Sequence, residues 1–274
     1  MGQRRLLAAV ALAMFATQSA SFMLVPLLVA IAADFETSVP VAGQLATLTF
    51  AAWAVSVASV GPMSDSFGRR PVALTGLTLL SIGVLASALA PNIETLMALR
   101  VATGLGGGMI PPNSIAAVAD SIPPARRAQT VGGLMAFATL SSVIGVPLVA
   151  VLADSGGWRL PFLVIGSLLA ACTLLNWFWF PKGASAGLRS FSIFSRYRAL
   201  LAIPVFRAVL AVNLAQRIAY MALFSYLAAY LVDAYGMSVG GVALLSLRWP
   251  VMIMFSTEVS SQSRATGVGL LGLS

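Results

Sequence analysis

The sequence has no histidine and only one cysteine, Cys172, among its 274 residues. Without histidine, imidazole acid–base catalysis and a Ser–His–Asp triad are excluded. One cysteine and no histidine leave a transition-metal site of ordinary ligand type without a donor set. A lone cysteine also builds no disulfide framework. Charge is scarce as well: 9% of residues are Asp, Glu, Lys or Arg, against roughly 25% in a soluble domain. Clustered cysteines and paired acids inside apolar stretches are missing too, so an intramembrane enzyme has nothing to work with. No metal and no cofactor is expected.

What the chain has instead is apolar residues, 59% of the total, with a mean hydropathy of +0.95. Apolar runs at 6–32, 41–62, 72–90, 94–119, 129–152, 160–180 and 206–232 each approach or exceed the ~20 residues that cross a bilayer. A further stretch at 239–257 is ambiguous. The first run opens like a signal peptide, with Arg4 and Arg5 before apolar residues and small ones around Ser19 and Ala20. It then continues to Ile31, which makes it a spanning helix rather than a cleaved leader. The expected fold class is an all-α polytopic membrane protein.

The charges sort by loop. Arg4–Arg5, Arg69–Arg70, Arg126–Arg127 and the group Lys182, Arg189, Arg196, Arg198 and Arg207 fall in alternate loops. The loops between hold Asp34 and Glu36, then Glu94, Asp154 and Asp233, with Arg159 as the one basic exception. That alternation follows the positive-inside rule with a cytoplasmic N-terminus. The net charge of +8 is therefore explained by topology, and the lipid bilayer rather than nucleic acid is the expected partner. The loop at 182–203 separates a six-helix bundle at 1–181 from residues 204–274. It reads either as a solvated linker or as a surface helix, since Leu188, Phe191, Phe194 and Leu201 interleave with its arginines.

The sharpest local pattern is Gly61-Pro-Met-Ser-Asp65-Ser-Phe-Gly68-Arg69-Arg70-Pro71 between the second and third runs. Gly61 permits close helix approach, Gly68 a turn with positive φ, and Pro71 the first turn of a helix. Asp65 suits a helix N-terminus or the neighbouring arginines. The spacing closely resembles motif A of the major facilitator superfamily. The resemblance implies that this loop latches the two halves of a transporter in its outward-open state. Asp65 would be the acceptor, against a helix of the second half, with Arg69 and Arg70 its basic partners.

Two further patterns fit the same resemblance. Leu99-Arg100-Val-Ala-Thr-Gly104-Leu-Gly106-Gly107-Gly108 is similar to motif B, whose arginine is linked to proton coupling in that family. Arg100 is either such a functional group, because a charge inside the bilayer is costly, or an arginine snorkelling to the outer interface. Gly104 and Gly108 form a small-xxx-small packing face. Gly145-Val-Pro147, followed by Asp154 to Arg159, is similar to motif C of the antiporter branch, but it has a valine between Gly145 and Pro147 and lacks the glycine pair that normally follows. Phe224 to Leu231 also resembles that branch. Together these imply proton-coupled efflux of a small organic solute, drug- or sugar-like, across the plasma membrane (the bacterial inner membrane).

Polar residues well inside spans are candidates for a substrate cavity: Gln18, Asn113, Asn213, Gln216, Arg217 and Tyr220. Helix-to-helix hydrogen bonding is an equal alternative for any one of them. No carboxylate falls securely in the middle of the first six runs, so no proton-titrating group stands out. The length is also short for two six-helix halves. The segment Val259 to Leu271, centred on Arg264, resembles the connection between helices ten and eleven and matches the Arg126–Arg127 loop. The expectation is a complete N-terminal bundle plus a partial C-terminal one, holding helix seven, part of helix eight from Gly240–Gly241, and that connection. Such a chain is expected to fold its first half but not to transport alone. The other reading is a non-transporting membrane protein, a remnant or partner subunit with the half-fold. Oligomeric state and substrate identity are not encoded in any visible pattern.

Overall fold

The computed structural model describes residues 2–180, 198 and 201–216. The chain divides into two units, Met1–Ile193 and Phe194–Ser274. Within the first, the order is α1 (Gly2–Phe22), a 3-10 turn at Val25–Leu27, α2 (Leu28–Asp34), α3 (Val39–Phe67), α4 (Arg69–Ser87), α5 (Ile93–Ser121), α6 (Pro124–Gly156) and α7 (Arg159–Trp179). No strand occurs among the described residues.

The helix boundaries have local causes. Pro26 has no N–H to continue α1, and its ring blocks the carbonyl four residues back, so a 3-10 turn separates α1 from α2. The two still read as one apolar segment, Gln3–Asp34. Pro40 occupies the first turn of α3. The helix ends at Gly68, whose φ of 96° and ψ of 153° lie where a Cβ is strained. At α5, the Asn92 side chain accepts a hydrogen bond from the Thr95 N–H at 2.8 Å. That helix ends at Ile122, which Pro123 forces into extended backbone.

Four segments are long and apolar enough to cross a membrane: Gln3–Asp34, Val39–Phe67, Arg69–Ser87 and Arg159–Trp179. The expected spans at 94–119 and 129–152 are helices of ample length, 29 and 33 residues for α5 and α6, and α5 buries small and polar residues, Thr103, Gly104, Gly106, Gly107 and Gly108 among them. The reason is its place in the bundle. It packs against both α3 and α4 and also meets α1, so its faces meet helices where small and polar residues serve better than bulky ones. A Cβ on Gly104 would lie 2.2 Å from the Thr49 carbonyl oxygen of α3, and one on Gly106 would lie 2.7 Å from the Gly76 carbonyl oxygen of α4. Backbone touches backbone on both sides of α5.

α1 packs on α6 and α7, and α4 packs on α7. Met23, Leu27, Ile31, Leu45, Leu96 and Phe162 belong to one apolar core; Leu6, Val10, Met14, Val118 and Ile122 belong to a second. Buried hydroxyls satisfy themselves on the carbonyl one turn back, as Thr17 does on Ala13 (2.6 Å) and Thr49 on Leu45 (2.7 Å). The outside carries Val29, Val55, Ile82, Val151, Leu174 and Phe178, each more than half exposed. Such a surface suits hydrocarbon and not water. This is an all-α polytopic membrane protein.

In the second unit, residues 204–216 are helical, and Asn213 Nδ2 donates to the Val209 carbonyl at 2.9 Å. The expected central loop, apart from Arg198 and residues 201–203, lies outside the described residues. So do the seventh span beyond Gln216, the stretch at 239–257 and the Arg264 segment.

Candidate functional site

Helices alternate direction, so Arg4–Arg5, the α3–α4 turn, the α5–α6 turn and the end of α7 share one end of the first unit, called here the basic end. Arg69 organises it. Its Nη1 lies 3.1 Å from Asp65 Oδ1 and its Nε 3.2 Å from Asp120 Oδ2, and it also donates to the Ser64 hydroxyl. Asn113 Nδ2 donates to the Arg69 carbonyl at 2.6 Å. One arginine thus joins α3, α4 and α5 around the Gly68 turn. Arg70, one helical step of about 100° further round, turns to α7 instead. Its Nη2 donates to the Trp177 carbonyl at 2.5 Å, and its guanidinium carbon lies 5.8 Å from that residue's ring. A cation beside the last carbonyls of a helix is favoured by the helix dipole. Asp120, the penultimate residue of α5, was not among the residues singled out from sequence.

Gly61 does not bring helices together here. A Cβ added to it would meet nothing within 4 Å among the described residues, and Gly61 is exposed. The expected close approach belongs instead to Gly104 and Gly108. A Cβ on Gly108 would lie 2.6 Å from the Trp53 carbonyl oxygen of α3.

Arg100 is fully buried in α5, so it does not snorkel. Its Nη2 donates to the Ser87 hydroxyl at 2.6 Å and approaches the Gly83 carbonyl at 3.4 Å, both on α4. The guanidinium carbon stands 5.0 Å from the Phe162 ring of α7. Its Nε and Nη1 are buried with no hydrogen-bond partner among the described residues. Desolvating a cation with so few acceptors is costly, and groups kept at such cost mark function more often than stability.

At the opposite end Arg159, the basic exception in the loop pattern, has an acid waiting for it. Its Nη1 lies 2.7 Å from Asp34 Oδ2, and its Nη2 reaches the Ala90 carbonyl at 3.4 Å. Trp158 stacks beneath it, with 4.2 Å from the Arg159 guanidinium carbon to the ring, and Trp158 meets Phe162 edge-on at 5.6 Å. Partners 125 residues apart in sequence leave no local pattern by which to find them.

The remaining candidates are dispersed. Gly145, in α6, faces Ser19 of α1, where a Cβ would lie 3.1 Å from the hydroxyl oxygen, while Pro147 is exposed. Gln18 is half-buried on α1, on the side that also carries Phe15, whose ring lies 5.3 Å from Phe137 of α6. Asn213 and Gln216 are exposed in the second unit, and Arg217 and Tyr220 lie outside the described residues.

Comparison with known proteins supplies the family. The chain is 30% identical over 187 residues to the inner membrane transport protein YdhP of Escherichia coli K12, covering 67% of this chain and 47% of that protein. It is 35% identical over 125 residues to the multidrug resistance protein Stp of Mycobacterium tuberculosis, covering 44% of this chain and 23% of that one. With the MFS-type transporter YceJ of Bacillus subtilis it shares 26% over 242 residues, 85% of this chain and 60% of the other. The chain thus spans less than two thirds of the length of each of these relatives. Its fold is similar to that of the proton:xylose symporter XylE solved with 6-bromo-6-deoxy-D-glucose, with a TM-score of 0.55 and 18% identity over 64% of this chain and 44% of that one. Residues 10–272 match the Major Facilitator Superfamily as a whole, and the chain belongs to that family.

Proposed function

We propose that the protein is a transmembrane transporter that expels a small organic solute, drug- or sugar-like, in exchange for protons. The observation that carries this reading is the wholly buried Arg100, held by Ser87 and faced by Phe162. A packing role would be served at lower cost by an apolar side chain. The outward direction is supported by the Gly145–Pro147 pattern in α6 and by the similarity to the multidrug resistance protein Stp. The basic end faces the cytoplasm in this reading, as the positive-inside rule requires. A six-helix bundle at 1–181 is followed by a central loop at 182–203 and a partial second bundle at 204–274. Asp65, Arg69 and Arg70 serve as the latch, and Arg100 takes part in proton coupling. Gln18 leads the cavity candidates of the first unit, because the Asn113 amide donor is already engaged by Arg69. Asn213, Gln216, Arg217 and Tyr220 are the candidates from the second unit.

The test is proton release from acidified everted vesicles, followed by an acridine dye while a panel of lipophilic drugs and sugars is added. A transporter gives solute-dependent dequenching that Arg100→Met abolishes at equal protein level. No response to any solute, with the protein folded in the membrane, favours the other reading, a half-transporter that needs a partner.

A further inference from the structure

The ion pair at the opposite end and the buried arginine are joined by a continuous column. It runs from Asp34 through Arg159 to the Trp158 ring, on to Phe162, and ends on Arg100. Three elements meet at its top: Asp34 and Phe35 at the end of α2, Ala90 after α4, and Trp158 with Arg159 at the start of α7. Phe35 closes the side, 5.6 Å from Trp158 between ring centres. Trp158 is 4% exposed and Phe162 is fully buried, whereas the Arg159 and Asp34 side chains are each 41% exposed. Water therefore reaches the ion pair and stops at the rings.

We propose that Arg159 is a positioning residue for Arg100: clamped by Asp34, it holds Trp158 and Phe162 as a plug that keeps water from the buried guanidinium. A guanidinium stacked on an indole and fixed by a carboxylate is a stiff lid, since the fork and the ring plane are both satisfied in one orientation. Phe162 shields Arg100 because its ring face lies over the guanidinium, 5.0 Å from its carbon. Releasing the clamp frees the Trp158 ring, and Arg100 then gains a path to water at the end opposite the basic loops. The inference goes beyond the transport reading, because it concerns access of water to Arg100, and its test measures that access rather than transport.

The experiment uses the full chain in lipid nanodiscs, so both ends meet reagent, with Cys172→Ala removing the one native thiol. Ser87→Cys places a reporter against Arg100, at a position with 0% exposure, and Ser66→Cys, 1% exposed in α3 at the basic end, is the control. Modification by a negatively charged methanethiosulfonate is timed for each. With the clamp intact both react slowly. Asp34→Asn and Arg159→Gln are expected to speed the reaction at position 87 by about ten-fold, the effect of a local opening, and to leave position 66 unchanged. Arg159→Lys, which keeps the charge opposite Asp34 but loses the planar stack on Trp158, is expected to react at a rate between the intact and the Arg159→Gln proteins. Phe162→Leu opens position 87 even with the ion pair in place. Should Ser87→Cys fail to fold, Ala90→Cys, 2% exposed at the mouth of the column, replaces it. An unchanged rate at position 87 in Asp34→Asn overturns the proposal. So does a parallel rise at position 66, or an Arg159→Lys protein as open as Arg159→Gln.

Discussion

Asn113 Nδ2 donates to the main-chain carbonyl of Arg69 at 2.6 Å, tying the last third of α5 to the first residue of α4. The Gly68 turn is thereby pinned from inside the bundle, and the side chain that pins it is 1% exposed. Replacing Asn113 with Ala should cost about 1–2 kcal/mol for the lost buried bond, seen as a lower Tm in detergent. Asn113→Asp should cost more, because a carboxylate cannot donate to a carbonyl and buries a charge besides. An unchanged Tm with altered solute affinity would instead make Asn113 a ligand contact.

The glycines separate into two kinds, and substitution tells them apart. Gly104→Ala drives a methyl to within 2.2 Å of the Thr49 carbonyl and 2.9 Å of Ala52 Cβ, both on a rigid helix. Overpacking of that kind costs about 1–3 kcal/mol or more, so poor expression or a collapsed Tm is expected. Gly61→Ala, Gly132→Ala and Gly133→Ala meet nothing within 4 Å among the described residues. Each should keep or raise Tm, since alanine is favoured over glycine in a helix by up to about 1 kcal/mol. If Gly61→Ala stops transport while Tm holds, its close approach is made to something other than the described helices.

These cases show what could be read from the sequence. Six apolar runs coincide with long helices of the first unit, four of them in segments long and apolar enough to cross a membrane, because burial in hydrocarbon demands long apolar stretches. The runs did not mark helix ends: the run at 41–62 became a helix reaching Phe67, and the one at 129–152 a helix beginning at Pro124. Polar residues remain helical past the hydrocarbon, so the stops are set by Gly68 and Pro123 rather than by hydropathy. The break at Pro26 was hidden inside one unbroken apolar run. The partners of the charged residues were the least legible. Asp120 for Arg69 and Asp34 for Arg159 lie 51 and 125 residues away, and only tertiary packing, α4 on α5 and the end of α2 beside the start of α7, brings them together. Ser87 for Arg100 is nearer, but one serine among many carries no signal.

The Arg69 cluster should matter little for stability. Its partners Asp65 and Asp120 have side chains 41% and 61% exposed, and ion pairs of that kind contribute roughly 0.2–1 kcal/mol each. Asp65→Asn and Asp120→Asn should therefore shift Tm by a few degrees at most, and less at high salt. If the latch reading holds, Asp65→Asn nonetheless slows transport strongly while Tm stays near wild type. A large drop in Tm with either variant would assign the cluster to folding and leave the latch unsupported.

Arg100 should show the reverse balance of stability and function. Its hydrogen bonds are few, and removing it orphans little, because Ser87 keeps its own bond to the Gly83 carbonyl at 2.6 Å. Arg100→Met preserves length and most of the volume while removing a buried charge, an exchange that is often neutral or stabilising by about 1–4 kcal/mol. The expected result is a Tm equal to or above wild type together with loss of proton-coupled efflux, the pattern of a site kept at the expense of stability. Arg100→Lys should also lose activity, since an ammonium reproduces neither the planar contact with Phe162 nor the fork toward α4. A protein that unfolds with methionine at this position would mean that the arginine holds α4, α5 and α7 together, and its link to proton movement would fall.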